Sequence, residues 1–246
     1  MSEKNSSQLR INVIANYLGQ GWVALMGIAF VPMYIKYLGM EAYGLIGIFA
    51  VLQAWLNLLD MGMAPTLSRE MARYTAGAHT VQSIRDLLRS MEFVSLTVAI
   101  TGGGLVWFSA HWIAVNWLKS EKLTIPEISH AISVIGIVVG LRFLESLYRG
   151  VMLGLQKQVW LNAVNSTLAT LRGIGAVFIL MQVSPSIDAY FLWQAVVSVI
   201  TIGIFVVSTY RQIPIGRRRA KFSMVKLLSV WRFAGGMTAT AVLVLL

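Results

Sequence analysis

The sequence predicts an all-α fold: a polytopic membrane helix bundle of six transmembrane helices plus a truncated seventh, with a cytoplasmic N-terminus. Three observations predict it. The 246 residues are 57% hydrophobic and 12% charged, roughly half the charge of a soluble domain, so polar side chains cannot cover a globule of this size. The apolar residues gather in runs of about 20, the helical length that crosses a hydrocarbon core of about 30 Å. The cations, which give a net charge of +10, fall mainly between alternate runs, as membrane orientation requires. With Cys 0, a disulfide framework, a thiolate metal site and a cysteine nucleophile are excluded.

The first run, Ile11–Ile35, follows a polar stretch and is too long for a cleavable signal, with no convincing small-residue cleavage site. The second is Tyr43–Met63. Pro32 lies near the end of the first and can kink a helix there, while Gly39, Gly44, Gly62 and Gly154 are placed for tight turns. Pro65–Arg89 predicts a short surface helix followed by a turn at Gly77. The third run is Phe93–Trp112, whose Gly102–Gly104 suits close helix packing. The loop Ala110–Pro126 carries Trp112 and Trp117, as an interfacial aromatic belt would. The fourth, fifth and sixth runs are Ile128–Tyr148, Trp160–Met181 and Ala189–Tyr210.

Arg211–Arg232 predicts a basic linker, with Met224–Trp231 as an amphipathic interfacial helix. A seventh run begins at Phe233 and stops at Leu246 without a polar flank. The expected organisation is therefore a bundle over residues 1–210, a linker over 211–232 and the start of a second bundle over 233–246, the chain reading as the first part of a longer protein. Outer loops hold only Lys36, Lys119 and Lys122; inner segments hold Lys4, Arg10, Arg69, Arg73, Arg85, Arg89, Arg149, Lys157 and the Arg217–Lys221 cluster, among others. That cluster is an anchor beside anionic headgroups rather than a nucleic-acid site.

Polar residues within the runs form stripes. At 100° per residue, Asn12, Asn16 and Gln20 share an arc of roughly 80°, Gln53, Asn57 and Asp60 one of about 60°, and Asn162, Asn165 and Arg172 one of roughly 80°. Gln194, Ser198, Thr201 and Ser208 line one side of the sixth run. Each amide alone is explained by bonding between helices. Together with an arginine at depth, which costs about 2.5–3.5 kcal/mol on insertion scales, they predict a shared water-filled cavity.

Arg172 lies about 18 Å along a helix from Trp160, too deep for easy snorkelling. Its own helix has no acid, so an external anion is its expected partner. Arg142 sits about 10 Å from Arg149. Glu145 lies between these two on nearly the same face and can pair with either, leaving structural pairing and ligand binding evenly open for Arg142. Asp60 reads as structural, capping the next turn or pairing with Arg69 or Arg73.

Three stretches carry a family resemblance. Pro32-Met33-Tyr34-Ile35-Lys36-Tyr37-Leu38-Gly39 followed by Tyr43-Gly44, then Leu59-Asp60-Met61-Gly62-Met63 with Arg69 and Ala72, then Arg149-Gly150-Val151-Met152-Leu153-Gly154-Leu155-Gln156-Lys157 with Asn162 beyond, fall at successive helix ends. In that order they resemble the polysaccharide-export flippases of the O-antigen type, within the superfamily that also holds lipid II flippases and multidrug and toxic compound extrusion transporters. The resemblance covers most of Ile11–Tyr210. It implies two six-helix bundles facing across a central cavity, of which this sequence would be the first and would lack the second.

It further implies a flippase that carries an undecaprenyl-diphosphate-linked oligosaccharide across the bacterial cytoplasmic membrane for surface polysaccharide or lipopolysaccharide assembly. Partners would be that substrate, membrane lipids and the second bundle, with no cofactor, metal or nucleic acid. Arg172 and Arg142 would hold the diphosphate or acidic sugars, Asn12, Asn16, Gln20, Asn57 and Asn165 would meet sugar hydroxyls, and Pro32, Asp60, Glu145 and Gly154 would be structural or gating positions. A cation-coupled drug exporter of the same superfamily needs a free deep carboxylate, and Glu145, the one deep acid, is flanked by arginines. A non-transporting scaffold or truncated remnant is the third reading. An enzyme is the weakest: His79, His111 and His130 are isolated, and no metalloprotease or phosphate-loop motif occurs.

Overall fold

The computed structural model describes residues 3–58, 60, 62–118, 120 and 122–243. Their regular structure is entirely helical: α1 (Glu3–Ala29), α2 (Val31–Leu58), α3 (Met63–Thr75), α4 (Val81–Asn116), α5 (Ile125–Gly154), α6 (Gln158–Gln182), α7 (Ile187–Gln212) and α8 (Met224–Leu243). Among the described residues, five segments are long and apolar enough to cross a membrane: Val31–Trp55 of α2, and α4, α5, α6 and α7. Large apolar side chains such as Ile100, Leu105 and Phe108 of α4 and Phe178 of α6 point outward, a pattern that water would penalise and lipid does not. The chain is a multi-pass membrane protein. α1 is not among the five; its amide stripe of Asn12, Asn16 and Gln20 dilutes an otherwise apolar helix.

The helix ends follow local chemistry. α1 stops at Ala29 and α2 begins at Val31, with Pro32 in its first turn, where a missing N–H has no helical acceptor to lose. Gly39, at φ 79° and ψ 168°, interrupts α2, so residues 31–38 continue the first apolar run and 40–58 form the second. That second run ends at Leu58, short of the expected Met63, because Gly62 turns left-handed and Met63 opens α3. Thr124 and Glu127 form a reciprocal capping box at the start of α5, and the Ser186 hydroxyl accepts the Ala189 N–H at the start of α7.

Two expectations need redrawing. α4 begins at Val81, twelve residues ahead of the expected Phe93, with Thr80 as N-cap. At about 1.5 Å per residue its 36 residues outreach the hydrocarbon core, so its charged first turns project beyond the apolar zone. Met224–Trp231, expected as a separate interfacial helix, is continuous with the run from Phe233 as α8.

α5 is the central post. It packs against α4, α7, α3, α2 and α6, and most of its apolar stretch is buried, whereas a third or less is buried in each of the other four spans. Small residues permit the closest approaches. A Cβ on Gly103 of α4 would stand 2.8 Å from the Gly136 carbonyl oxygen of α5. Gly154, expected to supply a turn, instead closes α5 in helical conformation, and its bare Cα lets the Ser68 carbonyl of α3 come close. Of the expected turn glycines, Gly39, Gly62 and Gly77 do have positive φ, whereas Gly44 lies within α2.

Candidate functional site

α2, α5, α6 and α7 place their polar residues around a cavity of about 300 Å³, lined by Arg142, Arg172, Gln53 and Gln194 and by the aromatic rings of Tyr34, Tyr43, Phe49 and Tyr190. A second cavity of about 430 Å³ is lined by Asn16 and Gln20 of α1, Asn162 and Asn165 of α6, and Glu145 and Arg149 of α5. The two share Val23, Ala169 and Arg172. The expected polar interior therefore exists as two chambers, one cationic and aromatic, the other rich in amides.

In the first chamber Arg142 donates from Nη1 to Gln53 Oε1 at 2.6 Å and from Nη2 to Gln194 Oε1 at 3.2 Å. Its guanidinium lies over the Phe49 ring, 4.8 Å from the centroid, a cation–π contact of value in a desolvated site. No carboxylate pairs with it among the described residues, and its buried Nε has no hydrogen-bond partner. Two amide oxygens and a ring face orient the charge without neutralising it.

Arg172 differs from expectation. Its Nη2 is 3.0 Å from Glu145 Oε2 and donates to Thr201 Oγ1 at 3.2 Å. Glu145 was expected to pair with Arg142 or Arg149 of its own helix; it pairs across to α6 instead. The physical reason is burial. Glu145 is 6% exposed, and a buried carboxylate is held best by a buried cation, which Arg149, an exposed residue, is not; Arg142 is turned instead to Gln53 and Gln194. Arg172 thus carries a counter-ion, and of these two deep arginines Arg142 is the one without a carboxylate partner among the described residues.

In the amide chamber, Asn162 Nδ2 donates to Asn16 Oδ1 at 3.0 Å, and Gly19 lies against the Asn162 side chain, joining α1 to α6. Asn16, Gln20 and Asn165 line the chamber together; Asn12 lines neither cavity. The Asn57 side chain lies outside the described residues. Pro32 sits at the α1–α2 break and lines neither cavity.

Asp60 joins the turn between α2 and α3 to α5. Its Oδ2 accepts the Ala64 N–H at 3.1 Å and its Oδ1 the Ser146 hydroxyl at 3.5 Å, so the capping expectation holds. Pairing with Arg69 or Arg73 does not occur, because both lie beside buried Glu70. Burial pushes the Asp60 carboxyl above its ordinary range, against the opposing pull of those two hydrogen bonds.

The four aromatic residues of the first chamber were not anticipated. Aromatic side chains in an apolar run carry no periodic signal separating a cavity wall from core or lipid face. Only Tyr34 and Tyr43 lie in a stretch that the family resemblance singles out.

A family model described as polysaccharide biosynthesis protein matches residues 9–246 of the chain. No curated protein and no solved structure matches it.

Proposed function

Because this chain belongs to the polysaccharide biosynthesis protein family, we propose that it serves the translocation of an undecaprenyl-diphosphate-linked oligosaccharide across the bacterial cytoplasmic membrane, in surface polysaccharide assembly. The observation that carries the reading is Arg142: a guanidinium inside a membrane bundle, facing a cavity and without a carboxylate partner among the described residues. Keeping a positive charge at such depth is costly, and a ligand anion repays that cost through charge-assisted hydrogen bonds. A diphosphate supplies the anion. The tyrosines of the same chamber and the amides of the neighbouring one supply the apolar faces and adaptable donors and acceptors that sugar rings and hydroxyls need.

In this reading the six-crossing, N-inside topology holds, with the first crossing formed by α1 and the start of α2. The cavity wall faces a second bundle of similar build, while the lipid tail stays in the bilayer and the headgroup passes between bundles. A cation-coupled exporter is disfavoured by Glu145, whose carboxylate is occupied by Arg172 rather than free for a coupling ion or cationic drug. The test is Arg142→Ala in cells that depend on the complete protein. Accumulated lipid-linked oligosaccharide and lost surface polysaccharide are expected; normal surface polysaccharide at wild-type protein level overturns the reading.

A further inference from the structure

The two chambers meet at Arg172, and the charges around it are mismatched. Arg142 and Arg172 bring two cations and Glu145 one anion, and the three lie within electrostatic reach of one another. Arg172 presents itself to both chambers, yet among the described residues only its Nη2 is engaged, by Glu145 and Thr201. Its buried Nε, like that of Arg142, has no partner. A guanidinium carries five N–H donors in a planar fork, so most of this one's capacity is unused. Glu145 has a second cation within its own helix: Arg149, four residues on, lines the same amide chamber and has no carboxylate partner among the described residues.

Resting on the anion-binding reading above, we propose that Glu145 is an exchangeable internal counter-ion: it holds Arg172 while the cavity is empty and cedes it to an entering diphosphate, turning to Arg149. Arg142 and Arg172 then grip one diphosphate from two sides. Charge supports the exchange. A diphosphate diester brings two negative charges to two guanidinium groups, whereas the empty site has one carboxylate for both. Energy supports it as well, since the Coulomb gain of a buried ion pair is largely offset by desolvation. Replacing one carboxylate by a phosphate that engages the idle donors therefore meets little resistance. Moving costs Glu145 its buried partner but not every partner: Arg149 lines the same chamber at i+4 spacing, and the anion's bonds to the idle Arg172 donors offset the exchange.

The test uses the full chain in detergent micelles, inorganic pyrophosphate as probe, and calorimetric titration in about 0.15 M salt, which screens the exposed linker cations. Removing the competing charge by Glu145→Gln is expected to tighten pyrophosphate binding about ten- to a hundredfold, the range of a charged hydrogen bond. Arg172→Gln weakens it by a similar factor. The double variant binds like Arg172→Gln, because Glu145 acts only through Arg172. Glu145→Asp, with the charge kept on a shorter arm, tightens binding by a smaller factor and serves if the amide variant fails to fold. Unchanged or weaker binding in Glu145→Gln, or in Glu145→Asp if the former does not fold, overturns the exchange. If Arg142→Gln abolishes binding while the Glu145 variants leave it untouched, the exchange fails and the anion site stands. If the wild-type chain binds no pyrophosphate, or Arg142→Gln binds as well as wild type, both fail.

Discussion

Glu92 of α4 is a buried carboxylate that ties three helices together at the end of the bundle where the linker sits. Its Oε1 accepts the Tyr148 hydroxyl of α5 at 3.0 Å and the Tyr210 hydroxyl of α7 at 2.8 Å, and its Oε2 accepts from Arg89 at 3.1 Å. Glu92 and Tyr148 are each 8% exposed, while the Arg89 side chain is 60% exposed, so the arginine contributes little and the phenols most. Glu92→Leu strands two hydroxyls. At about 1–3 kcal/mol for each unsatisfied buried donor, with Tyr210 near the lower end because it is only half-buried, the loss is roughly 2–5 kcal/mol. Glu92→Gln keeps an acceptor oxygen and loses only charge assistance, roughly 1–2 kcal/mol. Tyr148→Phe alone costs about 1.5–3 kcal/mol, and the Tyr148→Phe/Tyr210→Phe pair is not additive because both phenols share one oxygen. The assay is reversible denaturant unfolding in micelles, followed by tryptophan fluorescence. A Glu92→Leu chain within about 0.5 kcal/mol of wild type, or strict additivity of the phenylalanine variants, would refute this network.

Other perturbations reach different joints. Gly154→Val drives a branched side chain into the Ser68 carbonyl and Met71 of α3. Because backbone cannot yield as a flexible side chain does, a loss of about 3 kcal/mol or more is expected, read as a lowered unfolding midpoint. The linker is clipped to α4 by Asp86, which accepts from Arg218 Nη2 at 2.7 Å and from the Lys221 N–H at 3.0 Å. Asp86→Ala is expected to speed trypsin cleavage within residues 213–223 while leaving the bundle's unfolding midpoint nearly unchanged. Asp60, whose folded-state pKa lies above the ordinary 3.8, binds its proton more tightly folded than unfolded, so its ionisation lowers stability as pH rises through that interval. In Asp60→Asn this decline is removed, and a midpoint at neutral pH equal to or above wild type is expected; a large loss would show that the charge itself holds the turn.

The fold was legible where local chemistry is one-dimensional. The runs behind α6 and α7 match within about two residues at each end, while α5 extends its expected run at both ends, from Ile128 back to Ile125 and from Tyr148 on to Gly154. α4 was read too short because Arg85, Asp86, Arg89 and Glu92 dilute its apolar signal; their partners, Arg218 and the two phenols, lie on elements far away in sequence. At the site, helical phases turn Asn16 and Gln20 of α1 and Asn165 and Arg172 of α6 to one side of each helix, and the four line one cavity. Phase within one helix is silent about which cation of another helix reaches a carboxylate. Glu145 therefore read as a partner of its neighbours Arg142 and Arg149, when cross-helix packing gives it Arg172. The same limit left Arg142 evenly open between pairing and ligand binding, and left unseen the counter-ion that Arg172 carries.

The central claim is that Arg142 presents an unneutralised positive charge to a water-accessible cavity. The native chain has no cysteine, so a single Ala50→Cys on the wall of that cavity gives a clean probe. Its reaction rates with anionic and cationic methanethiosulfonate reagents report the local potential directly. The account predicts reaction with both, faster with the anionic reagent, and a preference that disappears when Arg142→Gln is added. A cysteine inert to both reagents, or a preference that survives loss of Arg142, would contradict it.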